Sequence, residues 1–214
     1  MTRNTAKGVA EADLNEAREA IYLSPEDLVM LAERVNPHYS LFIRFLAGTG
    51  LRYSEATALR RRDITLRDGR AAVRVERAWK SVGQGEEIGP PKTKKARRTV
   101  TCNVALSAEL AEHLKPLRPD DFAFQRPDGD YVRNSRFHKE VWQPLMARLL
   151  EDGSLDRKPW IHEIRHAHTI HLLDAGVPVH VVQARLGHED PQTTLRVYAR
   201  LSKASDAAAA DALG

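Results

Sequence analysis

His162-Glu163-Ile164-Arg165-His166-Ala167-His168 opens, and Leu186-Gly187-His188-Glu189-Asp190-Pro191-Gln192-Thr193-Thr194-Leu195-Arg196-Val197-Tyr198 closes, the stretch on which the reading of this chain turns. His162 and Arg165 are three apart, so on a helix they share a face and can reach one small anionic group together. Tyr198 follows a Gly-His pair and a Pro-Gln-Thr-Thr helix start, which sets it on a separate short helix able to present its hydroxyl to that anion. A phenol aimed at a clamped phosphate is a candidate nucleophile.

Working outward, 214 residues with 42% hydrophobic content can bury one substantial core or at most two small ones, so a single domain is expected. No apolar run reaches the length of a membrane span, and the N-terminus has no signal-peptide layout, which points to the cytoplasm. The lone cysteine, Cys102, excludes an internal disulfide and a cysteine-based zinc site, and is expected to be buried and inert. The net charge of +4 is unevenly spread: Arg52 to Arg98 holds fourteen Lys or Arg against six Asp or Glu. A positive field concentrated in this way suits a surface that meets phosphates.

In chain order, residues 1–20 read as a flexible lead-in or the remnant of an interdomain linker. Ser24-Pro25-Glu26-Asp27 starts a helix that runs to about Val35. A second helix, from about His38 to Ala47, ends at Gly48-Thr49-Gly50, and Arg52 stands just past that turn. Ile64 to Leu66 and Ala71 to Trp79 alternate in polarity around Asp68-Gly69 and predict a hairpin. A loop is expected from Ser81 to Gly89, and a third strand after Arg98. Helices follow from Ser107 to Lys115 and from Asn134 to about Glu151, the latter bent by Pro144. A helix carries His162 and Arg165, and another ends near Leu186. Residues 201–214 read as a C-terminal tail.

Thr49-Gly50-Leu51-Arg52-Tyr53-Ser54-Glu55, His162-Glu163-Ile164-Arg165, Leu186-Gly187-His188 and Thr193-Thr194 with Tyr198 together resemble the catalytic domain of the tyrosine recombinase (phage integrase) family. The resemblance covers roughly residues 22 to 200 and assigns the catalytic domain to 21–200. It implies an α+β, mostly helical fold with a small three-stranded antiparallel sheet. It also implies a site-specific recombinase that cleaves and rejoins double-stranded DNA through a 3′-phosphotyrosine, with no cofactor and no metal. Recombination in this family uses a homotetramer on two duplexes and can recruit accessory DNA-bending proteins.

By the same resemblance Arg52 and Arg165 grip the scissile phosphate, Tyr198 attacks it, and His162 and His188 serve the proton and the phosphate oxygens. Lys92 is the general acid, with Lys94 and Lys95 as alternatives; Glu55 and His168 support the cluster. Lys94, Lys95 and Arg97 are expected to bind DNA. Tyr53 stands where the family has a smaller apolar residue and could shift the packing beside Arg52. Two other readings compete. His162-Glu163-Ile164-Arg165-His166 satisfies the zinc metalloprotease pattern His-Glu-x-x-His, although Leu172 occupies the position where the extended form has its third histidine. An accessory DNA-binding module without catalysis is the other.

Overall fold

The computed structural model of the chain describes residues 21–83, 85–91 and 96–188, together with 192, 194, 195, 198 and 199. The expectations for residues 1–20, for Lys92, Lys94 and Lys95, and for 201–214 lie outside the described residues.

Helix α1, Pro25–Arg34, starts with a reciprocal cap. The Ser24 hydroxyl accepts the Asp27 N–H at 3.1 Å, and the Asp27 carboxylate accepts the Ser24 N–H at 2.8 Å. After a 3-10 turn over Pro37–Tyr39, helix α2, Ser40–Thr49, places Phe42, Ile43, Phe45 and Leu46 in the core. It ends where Gly50 turns left-handed at φ 64. Arg52 then sits in extended backbone at the head of the single-turn helix α3, Tyr53–Ala56.

Strands β1, Ile64–Arg67, and β2, Arg70–Val75, pair antiparallel around Asp68 and Gly69, whose φ values are 50 and 71. Two successive positive φ angles make the mirror-image turn that matches strand twist, which is why Asp-Gly serves there. The strand predicted to run to Trp79 stops at Val75. Ala78–Val82 (β3) instead pairs with Gly85–Gly89 (β4) as a separate two-stranded sheet, where a loop was expected. The cause is tertiary: the Trp79 ring stacks on Tyr131 with centroids 3.9 Å apart and leaves the first sheet. Strand β5, Arg98–Thr101, returns to β2 with Val100 opposite Val73, giving the expected three-stranded sheet in the order β1-β2-β5.

Helix α4, Val104–Leu114, begins three residues before the expected start, because the Asn103 side chain accepts the Leu106 N–H at 2.8 Å. Ser107 is buried instead and accepts the Ala71 N–H at 2.8 Å, tying α4 to the sheet. The long helix predicted over 134–151 is divided into α5, Asn134–Phe137, a π turn at His138–Trp142, and α6, Gln143–Glu151. Pro144 offers no N–H and its ring crowds the preceding turn; widening that turn, so that the Gln143 N–H reaches the His138 carbonyl, accommodates it. Helices α7, Glu163–Asp174, and α8, Val179–Leu186, follow, with α7 packed on α2. Cys102 is buried as expected, and burial pushes its thiol up to about 11.

At Gly50 the end of α2 meets side chains of both α7 and α8. A Cβ there would stand 2.4 Å from His168 Cδ2 and 3.0 Å from Leu186 Cδ2. Gly50→Ala is therefore expected to cost about 2–4 kcal/mol, from left-handed strain of roughly 1–2 kcal/mol plus overpacking. Gly69→Ala, with φ 71 and nothing within 4 Å, meets the strain alone. Thermal melts of the two variants should separate these contributions, with Gly50→Ala melting lower.

Candidate active site

Glu55 is the hub. Its carboxylate is 2% exposed and accepts from the Arg52 backbone N–H at 2.9 Å and from Arg52 Nη1 at 3.0 Å. Arg98 donates to both of its oxygens, Nη1 to Oε1 at 3.1 Å and Nη2 to Oε2 at 2.9 Å. Arg165 Nη1 lies 4.0 Å from Oε2. Burial alone would raise the carboxyl pKa, but the Arg98 hydrogen bonds and the charges of Arg98, Arg165 and Arg52 outweigh it and hold Glu55 below its ordinary value.

Arg165 is buried on α7 and donates Nη1 to the Gly50 carbonyl at 2.6 Å and Nη2 to the Leu186 carbonyl at 2.8 Å. Desolvation first, then Arg52, pulls its pKa to about 9, so it stays charged at neutral pH. Three guanidiniums thus converge on one carboxylate and leave a surplus of positive charge beside a cleft. That cleft, about 280 Å³, is lined by Arg52, His162, Tyr53, Ser54, Trp79 and Tyr131 among others. A second, of about 400 Å³, is lined by Arg97, Arg98, His180, Gln183 and His188. Tyr53 does not displace Arg52: its hydroxyl donates to the Val132 carbonyl at 2.9 Å and its ring meets Phe42 and Phe137.

His162 stands at the N-terminal cap of α7. Desolvation, then His166, Arg165 and Arg52, hold its pKa down, to about 3. The residue still presents exposed surface. Water on that side moderates the depression without changing its sign, so the imidazole is neutral at pH 7. Desolvation and the charges of Arg165, Arg52 and Arg98 likewise hold His188 at about 4. Its Nδ1 lies 2.7 Å from the Thr194 hydroxyl. Thr194 and Tyr198 are both helical. Tyr198 is half-buried.

His168 has a fixed role in the fold. Arg185 Nε donates to its Nε2 at 3.1 Å, and since a guanidinium only donates, the ring proton is on Nδ1, which donates to the Ala47 carbonyl at 2.7 Å. Burial and the Arg185 charge lower its pKa to about 3. In the unfolded chain the same ring titrates near 6.5. Between those values the unfolded state binds more protons, so the stability that His168 contributes is complete above about pH 6.5 and is lost as pH falls toward 3. From pH 7 to pH 5 this one group withdraws about 2 kcal/mol. Urea midpoints at the two pH values check this, and His168→Gln should flatten the difference.

Sequence reasoning singled out Arg52, Glu55, His162, Arg165, His168, His188 and Tyr198; of these Arg52 and Arg165 meet at Glu55, His162 and His188 feel the charge of both guanidiniums, and His168 is bound elsewhere, by the Ala47 carbonyl and Arg185. It missed Arg98 and Arg185, which hold Glu55 and His168 across long stretches of chain. The only signal for Arg98 was its place in a basic run. For the zinc pattern, the rings of His162 and His166 are 4.7 Å apart, and among the described residues, which do not include Glu189, no group of three metal-ligating side chains forms. The Glu163 carboxylate is buried and accepts the Trp160 N–H. Among the described residues no helix is long and apolar enough to cross a membrane.

A model of the phage integrase family matches residues 22–205. The integrase of Mycobacterium phage L5 is 29% identical over 203 residues, covering 92% of this chain and 53% of that protein. A probable integrase/recombinase protein of Methanocaldococcus jannaschii is 28% identical over 186 residues, covering 85% and 51%. The chain spans about half the length of these relatives. The Tn1549 transposon integrase, solved in complex with a circular intermediate DNA, matches with a TM-score of 0.78 at 19% identity, over 92% of this chain and 66% of that one. The catalytic domain of bacteriophage HP1 integrase matches with a TM-score of 0.54 at 19% identity, over 89% and 94%. With the family match spanning most of its length and the fold shared, the chain belongs to the phage integrase family and has the fold of a tyrosine recombinase catalytic domain.

Proposed function

We infer that this chain cleaves and rejoins double-stranded DNA at a specific site, as the catalytic part of an integrase. The observation that carries the reading is the gathering of Arg52, Arg98 and Arg165 on Glu55 beside an open cleft, a surplus of positive charge that a phosphodiester would complete. Arg52 and Arg165 stabilise the non-bridging oxygens as charge builds on them. The Tyr198 oxygen attacks phosphorus, the bond from phosphorus to the 5′ oxygen breaks, and a 3′-phosphotyrosine forms. His162, neutral at pH 7, accepts the phenolic proton or relays it onward, and His188 hydrogen-bonds a phosphate oxygen. Lys92, or in its place Lys94 or Lys95, gives the departing 5′ oxygen its proton. Attack by another strand's 5′-hydroxyl reverses these steps. One phosphodiester is exchanged for another, so the cycle consumes no ATP.

The working assembly in this reading is a homotetramer holding two duplexes in the cytoplasm, able to recruit accessory DNA-bending proteins. Two of the structural neighbours, the Tn1549 integrase and the XerH recombinase, were solved bound to DNA, which supports DNA as the substrate. Arg97 is exposed on the rim of the second cleft. Arg97→Ala should weaken binding to all sequences alike and reduce the slope of log affinity against log salt by about 0.9. A salt titration of wild type and variant measures it.

The test of the reaction uses duplexes selected from a randomised pool for binding to the chain, each nicked near its centre so that the cleaved fragment diffuses away. On a denaturing gel, a protease-sensitive covalent adduct that vanishes with Tyr198→Phe supports the recombinase. Binding without any adduct assigns the chain instead to the accessory DNA-binding modules.

A further inference from the structure

Arg98 has no part in the steps above, yet three segments of the site close on its side chain, which is 6% exposed. Its two terminal nitrogens engage the two oxygens of Glu55 fork to fork. Nε donates to the Arg185 carbonyl at 2.6 Å, and Nη1 also donates to the Ala96 carbonyl at 2.9 Å. Glu55 in turn holds both the backbone and the guanidinium of Arg52. The Arg185 carbonyl belongs to the end of α8, just before Gly187 and His188. Gly187 is a second, independent sign of the same contact. At φ 66, a Cβ on it would stand 3.1 Å from Arg98 Cδ and Nη1 and from Ala96 Cα, so glycine lets the helix end close over the guanidinium.

Charge balance does not account for this arrangement. Glu55 already has Arg52 at 3.0 Å and Arg165 at 4.0 Å, and a third buried cation adds to the surplus rather than cancelling it. What the Arg98 fork supplies is direction. Gripped at both oxygens, the carboxylate has one orientation left, and that orientation aims Arg52. We propose that Arg98 is a positioning residue for the cleavage step: through Glu55 it fixes Arg52 against the scissile phosphate, and through the Arg185 carbonyl it sets the end of α8 that leads to His188. The proposal rests on the recombinase reading above.

Single-turnover cleavage and DNA affinity of Arg98→Lys test it, with rates expressed per folded molecule. Lysine keeps the charge and the folded chain but offers a point contact in place of a fork. The expected result is a cleavage rate lower by about a hundredfold, the scale of a misplaced catalytic group, with DNA affinity held within about twofold. In an Arg52→Ala background the same substitution should cost little more, because the residue it positions is gone. Arg98→Ala should recover part of its rate when guanidinium ion is added below denaturing concentrations. A normal rate per folded molecule, with only the melting temperature lowered, would overturn the proposal, as would full additivity with Arg52→Ala. If wild type forms no adduct, it is the recombinase reading that fails; an adduct that Arg98→Lys leaves unchanged sinks this inference alone.

Discussion

Glu55→Gln is expected to lower the unfolding free energy by about 3–5 kcal/mol, the range for stripping the partner from buried charges. The substitution keeps shape and volume, so the loss is electrostatic. Gln presents one acceptor and an NH₂ group where Arg98, Arg52 and the Arg52 backbone N–H all donate, which sets donor against donor. Three guanidiniums are then left close together without an anion. The pH dependence provides an internal check. The Glu55 carboxyl is held below its ordinary value of 4.5. A depressed carboxyl stabilises the fold fully above the unfolded value and loses that contribution as pH falls through the folded one. Wild type and Glu55→Gln should therefore differ most near neutral pH and converge in acid. Urea unfolding across that range measures both curves, and a constant gap down to the acid limit would contradict the assignment of Glu55 as the charge hub. Added inorganic phosphate is expected to restore part of the lost stability at neutral pH, since an anion beside the guanidiniums replaces some of the missing charge.

Which parts of this arrangement the sequence could reveal follows from how far apart the partners lie. Arg52 and Glu55 are three residues apart at a helix start, and His162 and Arg165 are three apart at another, so local spacing alone puts each pair on one face. The hairpin at Asp68-Gly69 and the cap at Ser24 are equally local, and both formed as expected. Arg98 and Arg185 were invisible for the opposite reason: their partners, Glu55 and the ring of His168, come from other segments, and nothing in the flanking residues marks an arginine that will be held by them. The β3–β4 sheet was hidden because its segment alternates poorly in polarity and is held by a Trp79 stack on a residue far along the chain. The π turn before Pro144 was half legible. Proline announced a distortion, but whether the helix bends or widens depends on how its freed backbone groups are paired again.

Arg165→Met is expected to separate activity from stability in the opposite sense to Glu55→Gln. Replacing a buried guanidinium with an apolar chain of similar length removes a costly desolvated charge and leaves Glu55 with Arg98 and Arg52. Against that gain stand the Gly50 and Leu186 carbonyls, which lose their donors at about 1–3 kcal/mol each. The two effects oppose one another, so the fold should change by no more than about 2 kcal/mol. Cleavage has no such compensation. In the proposed reaction Arg165 would bring a fixed charge to the place where the phosphate gains negative charge, and loss of one preorganised donor in such a site costs about 10²–10³ in rate. Arg165→Lys should fare little better, since one ammonium cannot span the Gly50 and Leu186 carbonyls and still face a phosphate oxygen. The comparison to make is single-turnover adduct formation against thermal stability for both variants. An Arg165→Met chain that is folded and cleaves within about tenfold of wild type would remove Arg165 from the phosphate, and with it the argument that the positive surplus around Glu55 exists to receive one.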